Sequence, residues 1–203
     1  MIAIVDYDAG NIKSVKNALD RMGVAYELTD DPQKIIAADK VIMPGVGNAA
    51  AAIAALRAKG LDTIIRGLRK PVLGICVGMQ IMCRRSEEGD ARCLDIFDCD
   101  VTKFEAEPDA KVPHMGWNAL SFKNGRSPLF KYINEGDCVY FVHSFYGVNC
   151  EKSTIATAEY GTEITAAVAD KNIFGCQFHP EKSGEVGLNI LRAFCEMKEG
   201  AVC

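Results

Sequence analysis

Short apolar runs alternate with helical patterns through the first half of the chain. In residues 11–22, Ile12, Val15 and Leu19 recur at helical spacing, and Gly23 ends the pattern. Further helices are predicted at residues 32–37, 49–59 and 62–69, and strands at residues 2–6, 24–28, 40–43 and 72–75. Repeated β-α-β units of this kind predict an α/β fold, with a parallel sheet covered by helices on both faces.

The second half of the chain changes to a mainly β pattern. Strands are predicted at residues 96–104, 117–122, 138–142, 154–159, 164–169 and 174–178. A final helix is predicted at residues 185–197, with Ser183 as its N-cap. We therefore expect an antiparallel or mixed sheet region after the parallel one. Because no linker separates the two, we expect a single domain over residues 1–203.

Composition excludes several functional classes. The chain of 203 residues is 49% hydrophobic and has a formal net charge of −4, with no basic block, so nucleic-acid binding has no electrostatic support. No apolar stretch is long enough to span a bilayer, and the first residues lack the basic flank of a signal peptide. Nine cysteines without a C-x-x-C motif argue against a disulfide framework or a zinc site, and favour a reducing cytoplasm.

The segment G-I-C-V-G-M-Q, residues 74–80, follows a predicted strand and places Cys76 between two glycines. A G-x-C-x-G pattern at this point is typical of a nucleophile elbow, in which the side chain stands on a sharp strand-to-helix turn. We expect Gly74 and Gly78 to allow close approach of neighbouring segments. A helix over residues 78–83 would direct its N-terminus at Cys76 and favour the thiolate. The alternative is an ordinary buried cysteine.

A thiolate nucleophile needs a base, and the chain offers three histidines. His179 ends an apolar strand, and Pro180 restricts it to an extended conformation, so His179 and Glu181 are expected to point the same way. A carboxylate in that position can fix the imidazole tautomer and stabilise the imidazolium. The alternative is a strand-end histidine followed by an unrelated surface glutamate.

Acyl chemistry also needs an oxyanion hole. The N–H of Val77, directly after the nucleophile, is the first candidate donor. The second is expected from Pro44-Gly45-Val46-Gly47, which closes a neighbouring strand and contains two glycines. A simple βα turn explains that segment about as well.

Taken together, these motifs resemble the class I, triad-type glutamine amidotransferases, and within them most closely the glutaminase subunits of imidazole glycerol phosphate synthases. The resemblance extends over essentially the whole chain and implies a flavodoxin-like, three-layer fold with an additional antiparallel region. The matching segments are DYDAGN (6–11), PGVG (44–47), GICVGMQ (74–80), SEEG (86–89), PHMGWN (113–118), YFVHSFY (140–146) and GCQFHPEKS (175–183).

The resemblance implies hydrolysis of L-glutamine to glutamate and ammonia, without a cofactor or metal. Cys76 would form a γ-glutamyl thioester, His179 would move the protons, and Glu181 would orient His179. Val46 and Val77 N–H groups would bind the oxyanion. The resemblance further implies glutamine contacts at Gly47, Gln80, Glu88, Ser144 and Phe145.

The resemblance also implies a heterodimer with a (β/α)8-barrel cyclase, which consumes the ammonia in histidine biosynthesis. A chain of 203 residues is too short to form the barrel as well, so a separate partner is expected. The implied interface residues are Asn11, Met115, Trp117, Asn118 and Lys182. Without the resemblance, Trp117 would be assigned to the core.

Three departures from the common pattern stand out. Val77 stands where the family usually has leucine, and Asn48-Ala49 differ from the residues that are common at those two positions. Arg84-Arg85 stand where acidic residues are usual, and these arginines are expected on an exposed helix face. Alternative functions are the glutaminase component of another amidotransferase, such as anthranilate or aminodeoxychorismate synthase, and a non-catalytic regulatory subunit. A cysteine peptidase fits less well, because Gln80 and Glu88 suit a free amino acid.

Overall fold

The computed structural model describes residues 1–8, 10–105 and 111–198 of the protein. Its strands are β1 (Ile2–Val5), β2 (Tyr26–Thr29), β3 (Lys40–Gly45), β4 (Val72–Cys76), β5 (Arg85–Ser86), β6 (Ala91–Arg92), β7 (Asp100–Lys103), β8 (His114–Ala119), β9 (Ser121–Phe122), β10 (Cys138–His143), β11 (Phe145–Val148), β12 (Thr154–Tyr160), β13 (Thr162–Asp170) and β14 (Ile173–Cys176). Its helices are α1 (Ile12–Arg21), α2 (Pro32–Ala37), α3 (Ala49–Ala58), α4 (Leu61–Gly67), α5 (Val77–Gln80) and α6 (Gly184–Glu196), with short 3-10 helices at Pro128–Phe130 and Pro180–Lys182.

Five parallel strands form one half of the large sheet, in the order β2-β1-β3-β4-β14. Numbered among themselves, they follow the 2-1-3-4-5 order of flavodoxin-like folds. Helices flank this sheet, so the predicted α/β, three-layer fold class is confirmed. The carboxyl ends of β1, β3, β4 and β14 meet at one edge, which is where open parallel sheets bind their ligands.

The sheet continues beyond β14 through antiparallel neighbours, β13, β11 and β7, which confirms the predicted antiparallel region. Strands β8 and β10 form a separate two-stranded antiparallel sheet. The predicted strand at residues 96–104 is shorter than expected, and the one at residues 117–122 begins earlier, at His114. Strand β11 was not predicted.

Helix α5 is the main correction to the predicted elements, because it ends at Gln80 instead of extending to residue 83. The carbonyl oxygens of Ile81, Met82 and Cys83 accept hydrogen bonds from backbone N–H groups of residues 94–97 at 2.8–3.0 Å. A helix continuing to residue 83 would need Met82 and Cys83 to donate to carbonyls four residues back, but their N–H groups donate to Met79 and Gln80, three residues back, at 3.0 Å and 3.1 Å, so the α-helical pattern ends here. A four-residue helix has a small macrodipole, so its contribution to a thiolate at Cys76 is smaller than predicted.

Two helix starts differ in how they are capped. Asp31 caps α2 as its side chain accepts a hydrogen bond from the Gln33 N–H at 2.8 Å. Ser183 occupies the predicted N-cap position of α6, but its hydroxyl makes no capping hydrogen bond. That hydroxyl is used at the functional site instead.

A continuous apolar core lies between the sheet and the helices, and it includes β1, β3 and β4 almost entirely. No helix in the described ranges is both long enough and apolar enough to cross a bilayer. Ala9 of the DYDAGN segment and Cys203 lie outside the described residues.

Candidate active site

Cys76 stands at the turn between β4 and α5, with backbone angles φ 53° and ψ −111°. A non-glycine residue in such a conformation costs about 1–3 kcal/mol and persists where the surrounding structure enforces it. A side chain on Gly78 would lie 3.0 Å from the carbonyl carbon of Met43, and one on Gly74 would lie 2.8 Å from Gly78. The predicted close approach at both glycines is therefore confirmed, and it explains how the strained turn is held.

His179 and Glu181 meet directly behind this turn. The distance between His179 Nδ1 and Glu181 Oε1 is 2.8 Å, and both side chains are 1% exposed. Because a carboxylate oxygen accepts, Nδ1 carries the proton and donates it. The expected extended conformation of His179 is present (φ −102°, ψ 95°), and Pro180 then begins a 3-10 helix that brings Glu181 back towards the ring.

The electrostatics of His179 favour its protonated form. Burial by itself lowers the pKa of His179, but interactions with Cys76 and with Glu181 outweigh it and raise the pKa to about 9. Among the described residues, His179 Nε2 and Glu181 Oε2 are the buried side-chain atoms without a hydrogen-bond partner. Buried polar atoms are rarely left unpaired, and catalytic groups are a common exception.

The backbone of His179 is fixed by strand β10 and by Ser183. The His179 N–H donates to the Tyr140 carbonyl at 2.9 Å. The Ser183 hydroxyl donates to the His179 carbonyl at 2.7 Å and accepts from the Tyr140 N–H at 2.9 Å. Sequence reasoning missed this role, because a serine before a helix is most simply explained as an N-cap.

The 44–47 segment follows β3 at the same edge. The Tyr7 hydroxyl, fully buried, donates to the Pro44 carbonyl at 2.6 Å, and its pKa is raised by burial and by the nearby Cys76. Gly47 has a positive φ of 92°, and Val46 is 37% exposed and faces the cleft. Tyr7 thus anchors the strand end from which the predicted oxyanion loop departs. The oxyanion roles of Val46 and Val77 stay predictions.

A cleft of about 770 Å³ opens over Cys76. It brings together most of the residues predicted for the triad, the oxyanion hole and glutamine binding, together with two of the predicted interface residues. These are Asn11, Val46, Gly47, Cys76, Val77, Gln80, Glu88, Ser144, Phe145, His179 and Lys182. Asn11 also lies 3.5 Å from Glu181, through its amide nitrogen.

Gln80 and Glu88 are held in the cleft by defined partners. The Gln80 amide nitrogen donates to the Phe145 carbonyl at 2.9 Å and to Gln177 Oε1 at 3.0 Å. One carboxylate oxygen of Glu88 accepts from the Ala49 N–H at 2.6 Å, at the start of α3. Gln177, fully buried, also directs its amide nitrogen at Cys76 Sγ, 3.7 Å away. The sequence analysis did not single out Gln177, although it precedes the F-H-P-E segment.

The predicted interface residues on β8 divide between its two faces. Met115 and Trp117 are 60% and 58% exposed, and Trp117 packs edge-on against Tyr140 at 5.9 Å between ring centroids. Asn118 lies on the opposite face of the strand, where its amide donates to the Glu159 carbonyl at 2.6 Å. The structure therefore separates Asn118 from the other two, and the interface assignment stays a prediction.

The expected helical position of Arg84 and Arg85 is wrong. Arg85 begins strand β5, and both arginines pair with Asp100, at 2.8 Å and 3.4 Å. They lie away from the cleft. In the part of the chain that the structure describes, no group of three or more His, Cys, Asp or Glu side chains is placed to hold a metal ion.

Comparison with known proteins adds a family and several relatives. The family model described as "Glutamine amidotransferase class-I" matches residues 3–197. The chain is 49% identical over 197 residues to the imidazole glycerol phosphate synthase subunit HisH of Bacteroides thetaiotaomicron, covering 97% of this chain and 99% of that protein. It is 46% identical to the HisH subunit of Dehalococcoides mccartyi, covering 98% of each.

Among solved structures, the fold is similar to a chain of PurLQS from Thermotoga maritima. The TM-score is 0.69 at 20% identity, and the match covers 96% of each chain. At that identity the likeness supports the fold alone.

Proposed function

Because the chain belongs to the class-I glutamine amidotransferase family, we propose that it is the glutaminase subunit of an imidazole glycerol phosphate synthase. It hydrolyses L-glutamine to glutamate and ammonia through a thioester on Cys76. The observation that supports this chemistry best is the buried His179–Glu181 pair beside a strained cysteine at the base of one cleft. The high identity to the HisH subunits supports the choice of pathway.

The first half of the reaction releases ammonia. The Cys76 sulfur attacks the carboxamide carbon, and the carbonyl electrons move to the oxygen, where the N–H groups of Val46 and Val77 stabilise the negative charge. His179, whose raised pKa of about 9 keeps it protonated at neutral pH, donates its Nε2 proton to the leaving nitrogen. The C–N bond breaks, ammonia leaves, and a γ-glutamyl thioester remains.

The second half restores the enzyme. Neutral His179 removes a proton from a water molecule, and the resulting hydroxide attacks the thioester carbon. The C–S bond breaks, which regenerates the thiolate and the imidazolium, and the new carboxylic acid loses its proton to water as glutamate leaves. Glu181 keeps the Nδ1–H tautomer throughout by accepting its hydrogen bond, so that Nε2 is always the nitrogen that faces the reaction.

Glutamine is recognised by groups around the cleft. Glu88 has one carboxylate oxygen engaged with the Ala49 N–H and a second with which to bind the α-ammonium. Gln80 lies on the same wall, with both amide hydrogens engaged. Gly47, Ser144 and Phe145 complete the pocket. The chain thereby selects a free amino acid over a peptide.

The ammonia is passed to a partner, as the word subunit in the relatives' names implies. We propose a (β/α)8-barrel cyclase, docked over the mouth of the cleft. Met115 and Trp117 place two large exposed apolar side chains next to each other on one strand face, and adjacent apolar side chains of this kind, an aromatic one included, suit a protein interface. Lys182 lines the cleft itself.

The test of the chemistry is labelling with an electrophilic glutamine analogue, followed by peptide mass mapping. We expect the adduct on Cys76, protection by L-glutamine, and no glutaminase activity in Cys76→Ala. Cys138→Ala is the matched control, because Cys138 is exposed on β10 and lies outside the cleft. Wild-type activity in Cys76→Ala would overturn the proposal, and so would an adduct formed only on another cysteine.

A further inference from the structure

Two of the three histidines have no part in the proposed chemistry, yet both are buried beside the cleft. His114 is 2% exposed and His143 is 6% exposed. His114 Nδ1 lies 2.9 Å from His143 Nε2, and His143 Nδ1 lies 2.8 Å from the Phe145 carbonyl oxygen. The pair therefore connects strand β8 to the wall of the glutamine pocket.

The Phe145 carbonyl oxygen, at one end of this series of hydrogen bonds, determines which nitrogen of each histidine ring carries the hydrogen. A carbonyl oxygen only accepts, so His143 Nδ1 must carry a hydrogen. In the neutral ring, His143 Nε2 is then an acceptor, and it must receive its hydrogen from His114 Nδ1. Both rings are consequently Nδ1–H tautomers.

The surroundings keep both rings neutral. His114 stacks between Tyr160 and Phe141, with ring centroids at 3.9 Å and 4.7 Å. Burial lowers the pKa of His114 to about 4. For His143, burial together with the nearby His114 and His179 outweighs the hydrogen bond to Phe145 and lowers the pKa to about 3. Each neutral ring has a single N–H, so the hydrogen bonds run in one direction, from His114 to His143 and from His143 to the Phe145 carbonyl.

The same carbonyl also determines how Gln80 is turned. The Phe145 oxygen accepts one hydrogen bond from His143 and another, at 2.9 Å, from the Gln80 amide nitrogen. These two hydrogen bonds occupy both lone pairs of the oxygen. The Gln80 nitrogen also donates to Gln177 Oε1 at 3.0 Å, so both of its hydrogens are engaged. Gln80 therefore has only its oxygen left for a molecule in the cleft.

We propose that His114 and His143 are positioning residues for substrate recognition, because they hold the Phe145 carbonyl so that the Gln80 amide oxygen faces the α-ammonium group of glutamine. This inference rests on the proposed glutaminase function. It adds that selection of a substrate with a free amino group depends on two histidines that do not touch the substrate's reacting atoms.

The first arm of the test reads the tautomers directly. The chain has three histidines, so proton–nitrogen NMR spectra of protein with isotope-labelled histidine can be assigned with one variant for each. We expect His114 and His143 to be neutral Nδ1–H tautomers at neutral pH. An Nε2–H tautomer or a charged ring at His143 would overturn the proposal. This NMR measurement does not require enzymatic activity, so its result is independent of whether the proposed glutaminase function is correct.

The second arm compares two substrates, L-glutamine and the corresponding amide without the α-amino group. In His143→Leu we expect the preference for glutamine, as a ratio of kcat/KM values, to fall about tenfold or more, which is the usual worth of a hydrogen bond to a charged group. If the histidine has only a structural role, kcat/KM should fall by the same factor for both substrates, and that result would overturn the proposal.

His143→Asn is the matched conservative variant. Its amide nitrogen stands where Nδ1 stood, so it can donate to Phe145 but cannot reach His114. We expect it to restore part of the preference that His143→Leu loses, because the hydrogen bond to Phe145 is kept while the one from His114 is lost. Full restoration would show that His114 has no positioning role and would overturn that half of the proposal. If Asn and Leu lose the preference equally, the hydrogen bond to the Phe145 carbonyl is not what matters, and the proposal is wrong. An inactive wild-type chain would instead refute the glutaminase function.

Discussion

The substitution Gly78→Ala tests how the elbow holds Cys76. Gly78 packs against the backbone of β3, where an added Cβ would lie 3.0 Å from the Met43 carbonyl carbon and closer still to its oxygen. Carbon atoms in good contact are about 3.5–4.0 Å apart, so one of two backbone segments must move by at least half an ångström. Because the overlapping atoms on the β3 side belong to the backbone, no side-chain rotation can relieve the overlap.

Overpacking a core in this way typically costs about 1–3 kcal/mol, and here both partners are backbone, so we expect at least about 3 kcal/mol. The displaced atoms include the start of α5, where Val77 is expected to donate to the oxyanion. A misplacement of about 1 Å at a catalytic centre can reduce the rate by about a hundredfold. We therefore expect Gly78→Ala to lose glutaminase activity by about that factor.

Gly67→Ala is the matched control, since it makes the same chemical change in helix α4 and its added Cβ would meet no atom within 4 Å. It should stabilise the protein by up to about 1 kcal/mol and leave the activity unchanged. Urea unfolding measures the stability of each variant, and a glutaminase assay measures its activity. A Gly78→Ala protein within about 0.5 kcal/mol of wild type, with full activity, would refute the reasoning.

Three further predictions concern groups around the triad. The pKa of His179 is about 9 in the folded state against an ordinary 6.5, which implies about 3 kcal/mol of stability. This stability is present below about pH 6.5 and is lost as the pH rises through about 9. If the difference in unfolding free energy between wild type and His179→Asn does not change with pH, the prediction is wrong. Ser183→Ala should leave the partly buried Tyr140 N–H without its hydroxyl acceptor, cost about 1–2 kcal/mol in urea unfolding and reduce glutaminase activity by at least about tenfold. Unchanged activity would mean that Ser183 does not position His179. Tyr7→Phe should cost about 1–2 kcal/mol, because the Pro44 carbonyl loses its donor; unaltered thermal and urea unfolding would count against that anchor.

The parallel half of the fold could be predicted from the sequence because its strands are short apolar runs separated by regular helical patterns. Buried strands and amphipathic helices leave distinct periods, and the glycines at 23 and 60 mark helix ends by their positive φ. Short strands such as β5, β6 and β11 leave too few residues for a period to be read. The single-domain assignment stays a prediction.

Helix α5 shows why a periodic pattern can mislead at a functional site. Met79, Ile81 and Met82 are all fully buried, so the segment is apolar on every side and carries no helical stripe that could mark where the helix ends. Directly after its end, the backbone of residues 81–83 accepts hydrogen bonds from residues 94–97, which no local pattern contains. Tertiary contacts of this kind override local propensity.

The candidate site was predicted as far as its chemistry depends on residue types at fixed spacings. Cys76 could be proposed because a glycine-framed cysteine after a strand has a local geometric meaning. His179 and Glu181 were paired on the assumption of an extended chain; they do meet, but through the 3-10 helix at Pro180–Lys182. Gln177, Ser183 and the two neutral histidines could not be proposed, because their roles depend on partners distant in the chain. Gln177, for example, joins Gln80 to Cys76 across β14 and α5.

The most direct test of the central proposal is a coupled assay with the purified cyclase of an imidazole glycerol phosphate synthase and the substrate that this cyclase converts to the imidazole product. Glutamate and the imidazole product are measured together, with Cys76→Ala as the inactive control. We predict low glutaminase turnover for the isolated chain, a rise in the liganded complex, and equal amounts of glutamate and imidazole product. Equal turnover with and without the liganded cyclase, or a clear excess of glutamate over imidazole product in the liganded complex, would contradict the proposed function.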